Sequence, residues 1–68
     1  MKEYEELLKK SIELKNAQNS INCMEIGPNE RLIIEKLKDE HYITNVRFIG
    51  MRAVGFDLTY DGLHYFDE

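Results

Sequence analysis

At Tyr42 the hydrophobic period of the chain changes from that of a helix to that of a strand, which confines the fold to a mixed α+β class. Upstream, apolar residues recur three and four apart. Downstream, Tyr42, Thr44, Val46 and Phe48 alternate with Ile43, Asn45, Arg47 and Ile49, a β-branched and aromatic run suited to a strand. A second such run follows from Ala53 to Leu58. Between them Gly50 supplies the positive φ of a tight turn, with Met51 and Arg52 at its tip, so residues 42–58 read as an antiparallel hairpin.

Residues 1–17 read as an amphipathic helix. Tyr4, Leu7, Leu8, Ser11, Ile12 and Leu14 share an arc of about 160°, wider than the stripe of about 100° that seats a helix on one core. The excess predicts a second contact, with another copy of the chain, through Tyr4, Leu7, Leu8 and Ile12. Residues 18–28 read as a connector, because Asn16, Gln18, Asn19, Ser20 and Asn22 compete poorly for helix. Ile21, Met24 and Ile26 can still reach the core from it, with one helical turn begun by Ser20 as an option.

Gly27-Pro28-Asn29-Glu30 is a helix start, with Pro pre-organised for the first turn and Asn29 as cap. In the helix that follows, residues 29–41, Ile33, Ile34, Leu37 and His41 share one side and Arg31, Glu35, Lys38 and Asp39 the other. Leu32 falls among the charged residues and is a second candidate for contact with a partner. Residues 59–67 read as a short helix: Thr59 caps it, Gly62 lets it approach a neighbouring backbone, and Leu63 and Phe66 face the core.

A chain of 68 residues closes one small core, so a single domain is expected. Such a core supplies only about 3–5 kcal/mol without staples or a partner subunit, which makes a homodimer the expectation. The net charge of −4 repels phosphate backbones and anionic membranes, so nucleic-acid binding has to be local. Cys23 is the only cysteine, has no internal disulfide partner, and reads as a small buried hydrophobe. The longest apolar run is Leu32-Ile33-Ile34, against the roughly 20 residues of a membrane span. With no leader-like opening, the expectation is a cytoplasmic protein without membrane contact. Two histidines and scattered acids offer neither a nucleophile with its base nor a ligand set, so no catalysis, cofactor or metal is expected.

The segment EKLKDEHYI, a hairpin, and then LTYDGLHYF resembles the end of many winged-helix domains, where a helix closes into the wing and an LT-x-x-G step starts the last helix. The stretch EIGPNERLIIEKLKDEHYITNV is similar to the small YjcQ-like winged-helix proteins of bacteria and prophages. The likeness covers about Glu25 to Glu68. The first half departs from it, since three helices precede the wing in that family and a connector stands here in place of the middle one.

The resemblance implies a small winged-helix-like domain that binds double-stranded DNA. Its second helix would lie in the major groove and the hairpin tip against a neighbouring groove or phosphates, with Arg31, Lys38, Arg47 and Arg52 as the contact residues. From His41 to Phe56 the chain carries Arg47 and Arg52 and no acid. Against this, residues 29–41 hold Arg31, Lys36 and Lys38 against Glu30, Glu35, Asp39 and Glu40, so a lone protomer would bind weakly and two would have to act together. The alternative is an acidic module that binds a protein, using Asp57, Asp61, Asp67 and Glu68 with Tyr60 and Tyr65 as exposed anchors.

Overall fold

The computed structural model describes residues 2–67. The first helix, α1 (Lys2–Leu14), buries Tyr4, Leu7, Leu8 and Ser11. The Ser11 hydroxyl is satisfied within the helix, donating to the Leu7 carbonyl at 2.8 Å, so a polar side chain enters the core without losing a hydrogen bond. Beyond α1 the amides reverse the chain. Asn16 Oδ1 accepts from the backbone N–H of Gln18 at 2.9 Å and of Ser20 at 3.0 Å, and Asn19 takes a left-handed φ of 61°.

That reversal leads into a strand, β1 (Ser20–Glu25), which corrects the reading of residues 18–28 as a connector with an optional helical turn. The physical reason is a bulge between Ile21 and Met24. Three residues apart, the two look helically spaced, but the extra residue turns both side chains to the core face.

The next helix, α2 (Glu30–Asp39), starts differently from the expectation. Asn29 makes no side-chain cap bond. Glu30 takes its place by reaching back to accept from the Gly27 N–H at 2.7 Å, while its own N–H donates to the Gly27 carbonyl at 3.1 Å, the glutamate half of a capping box begun two residues earlier. At the other end His41 has φ 66°, its N–H donates to the Lys38 carbonyl, and the Tyr42 N–H donates to the Leu37 carbonyl. This is a Schellman closure with His where Gly is usual.

Strands β2 (Ile43–Ile49) and β3 (Ala53–Leu58) form the expected antiparallel hairpin, with Gly50 at φ 66°. The alternation of β2 is broken by a bulge between Thr44 and Arg47, where Asn45 has φ 55°. Ile43, Val46 and Phe48 therefore lie toward the helices, whereas Arg47 falls opposite Gly55 on the outer face. The sheet order is β1-β3-β2, all antiparallel, with Val54, Phe56 and Leu58 of the central strand packed under α1 and α2. On the outer face the Asp57 carboxylate accepts from the Ser20 hydroxyl at 2.6 Å and the Asn45 amide at 2.8 Å, tying all three strands together. These hydrogen bonds hold its pKa below the ordinary Asp range.

The last helix is the short α3 (Tyr60–Leu63). Thr59 Oγ1 accepts from the Gly62 N–H at 3.0 Å and donates to the His41 carbonyl at 2.7 Å, so the expected cap also joins two elements. The expected close approach at Gly62 is present too: a Cβ there would lie 2.1 Å from the Tyr42 carbonyl oxygen. Phe66 faces out rather than in, at 44% exposure. Tyr65 turns inward in its stead, edge-on to Tyr4 and Tyr42, with its hydroxyl donating to Glu5 at 3.0 Å.

Two predictions follow from these contacts. Gly62→Ala forces α3 off the Tyr42 carbonyl, an overpacking cost of about 1–3 kcal/mol. In a domain this small each kcal/mol is worth about 4–8 °C, so thermal unfolding followed by circular dichroism drops by about 10 °C. For Asp57 the folded pKa is depressed, so its stabilisation is present above the ordinary Asp value of about 3.9 and is lost as pH falls through the lower folded value. Denaturant midpoints measured from pH 7 down to about pH 2 therefore fall less steeply in Asp57→Asn than in the unchanged protein.

Candidate functional site

The sequence proposes four cations, and the fold distributes them over separate surfaces. Arg31 and Arg52 flank the place where the start of α2 meets the hairpin. The Ile26 N–H donates to the Arg52 carbonyl at 2.7 Å, which ties the hairpin turn to the segment leading into α2. Arg52 sits beside Gly27 and Pro28, among Lys10, Glu25 and Glu30, and is exposed. Arg31 lies on the other side, its guanidinium carbon 4.1 Å from the centroid of the Phe48 ring. Such a cation–π contact contributes about 0.5–1 kcal/mol at an exposed site.

Lys38 is seven residues along α2 from Arg31, two turns on in the same stripe, beside Asn45 and Val46. Arg47 does not join this group. Its guanidinium donates to the Asn45 carbonyl at 2.8 Å and lies over Gly55 on the sheet face away from the helices. Alternation with Val46 and Phe48, which face the helices, puts Arg47 on the outer face.

The residues proposed for a copy-to-copy contact are mostly consumed inside one protomer. Tyr4, Leu7 and Leu8 have 7%, 3% and 0% exposure, and Ile12 is half-buried against the same core. The arc of α1 is wide because it packs on α2 and on a sheet that has a third strand, so no second copy is required to cover it. Leu32 differs. At 73% exposure it stands on the outer face of α2 with Glu35, Lys36 and Asp39.

Other expectations also change. Cys23 is exposed in the β1 bulge instead of buried. Tyr65 belongs to the Tyr4–Tyr42 cluster, where the Glu5 hydrogen bond raises its pKa, while Tyr60 remains open at 74% exposure. His64 Nδ1 lies 2.5 Å from Asp67 Oδ2 with Tyr60 stacked beside the ring, an exposed local contact. Among the described residues no group of three His, Cys, Asp or Glu side chains could hold a metal ion. No helix among the described residues is long and apolar enough to cross a membrane. Phe48 was not singled out by the sequence. Its aromatic character in a strand was legible, but its place under Arg31 depends on how α2 docks.

No family model, curated protein or solved structure matches the chain.

The burial pattern separates core from surface on neighbouring apolar positions. Leu8→Asp places a charge at a fully buried site and abolishes the cooperative unfolding transition, whereas Leu32→Asp stays within about 0.5 kcal/mol of the unchanged protein in denaturant titrations.

Proposed function

We propose that the chain is a non-catalytic binding module of winged-helix type whose ligand is double-stranded DNA, a small regulator of the kind found in bacteria and prophages, acting in the cytoplasm. What carries the reading is the junction of α2 with the β2–β3 hairpin: one helix end and one projecting turn lie side by side with Arg31 and Arg52 on their flanks. The resemblance from Glu25 onward supports the same arrangement, because it implies a helix closing into a wing that a capped, glycine-containing helix holds at its base. Arg52 and Lys38 act as phosphate contacts at the two ends of α2. Arg47, turned to the outer sheet face, has no part in it. Three cations per protomer favour two copies on one duplex, since counterion release grows with each phosphate neutralised.

A second reading has its own observation. The outer face of α2 carries Leu32 at 73% exposure between Glu35, Lys36 and Asp39, a mixed face suited to a protein partner. A labelled 20-base-pair duplex, titrated by fluorescence anisotropy at several salt concentrations, separates the two. DNA binding through about four phosphates weakens about a hundredfold between about 50 and 200 mM salt. Arg52→Ala and Lys38→Ala each remove one contact from each of the two copies and lower the slope of log affinity against log salt by about 2, and Arg47→Ala leaves it unchanged. A duplex that gives no anisotropy change at low salt transfers the assignment to the protein-binding module.

A further inference from the structure

Resting on the DNA reading above, we infer that Arg31 reads guanine in the major groove and that Phe48 is the residue that positions it. Three observations lead there. The Arg31 guanidinium lies 4.1 Å above the Phe48 ring, a contact that holds the planar fork against an aromatic face. No carboxylate pairs with it, because the only ion pair among the described residues is His64 with Asp67. Phe48 keeps 37% of its surface exposed with the guanidinium over it, so the stacked pair stands at the surface of the domain.

The charge of α2 points to a base edge as the ligand in preference to a phosphate. Glu35 follows Arg31 by one turn on the same stripe and is exposed. A carboxylate there repels a phosphate but accepts from the amino group of cytosine, while a guanidinium fork donates to the N7 and O6 acceptors of guanine. Arg31 and Glu35 together thus present a donor pair and an acceptor matched to the two halves of a G·C pair. Adenine presents a donor in place of the O6 acceptor, so a donor-only fork rejects it. The acidity that weakens backbone binding is here part of the recognition.

The test uses two fluorescein-labelled 20-base-pair duplexes, one built only of G·C pairs and one only of A·T pairs, titrated at low salt. The unchanged protein binds the G·C duplex at least about tenfold more tightly. Arg31→Lys keeps the charge, loses the fork, and brings the ratio to about one. Phe48→Leu keeps an apolar side chain without a π face; it lowers the ratio to below about threefold, leaves the salt slope unchanged, and has no further effect when combined with Arg31→Ala. Phe48→Tyr restores the ratio, which excludes a merely structural role for the ring. Equal affinity of the unchanged protein for both duplexes overturns the guanine assignment while leaving DNA binding standing, and a Phe48→Leu variant that weakens both duplexes alike overturns the positioning role of the ring. Binding to neither duplex overturns both this inference and the reading beneath it.

Discussion

The backbone of Tyr42 is the point on which the rest of the molecule depends. Its N–H closes the Schellman end of α2, and its carbonyl accepts from Thr59. The α-carbon of Gly62 is pressed against that same carbonyl. One peptide unit thereby ends a helix, begins a strand and seats the final helix, while the Tyr42 ring packs edge-on against Tyr4 and Tyr65 to bring α1 into the same junction. Each group involved has little freedom. A side chain at residue 62 would separate the layers, and loss of the left-handed turn at His41 would send β2 off in another direction.

Much of this junction was legible in the sequence because local chemistry determines it. Thr59, Gly62 and Gly50 act through caps, turns and close approach, which depend on residues only a few positions away or on the absence of a Cβ. His41, by contrast, placed by its spacing on the apolar side of α2, lies past the end of the helix in a left-handed turn. The alternation after Tyr42 likewise announced a hairpin. β1 was not legible, since its pairing partner lies far along the chain at Ala53 to Asp57 and its bulge gives Ile21 and Met24 a helical spacing. The same kind of irregularity in β2 brings Ile43 onto the face of Val46 and Phe48, from which strict alternation separates it. Bulges shift the phase of side chains without any marked change in composition, so both misreadings share one physical origin.

The third strand also accounts for the width of the α1 arc. An apolar arc too wide for one neighbour suggests a second molecule when the neighbours are undercounted. Once β1 joins β3, the sheet is broad enough to meet α1 along one side while α2 meets it along the other, and Leu7 and Leu8 disappear into a single core. Tyr65 and Phe66 exchange roles for a related reason. A helix of only four residues ends at Leu63, and the turns after it no longer follow helical spacing, so the aromatic that reaches the Tyr4–Tyr42 pair is the one a helical wheel would not choose.

The two bulges lie on the two outer strands, one on each flank of Gly55 in the middle of β3. A three-stranded sheet has two open borders, each a template on which further chains can add by backbone hydrogen bonding. Extra residues at Asn22–Cys23 and Asn45–Val46 interrupt the regular spacing of donors and acceptors along both borders, and Asn16 already occupies the backbone groups of Ser20 at one corner. The irregularities that obscured the fold in the sequence therefore serve a second purpose: they make a small, thin sheet a poor seed for fibrils.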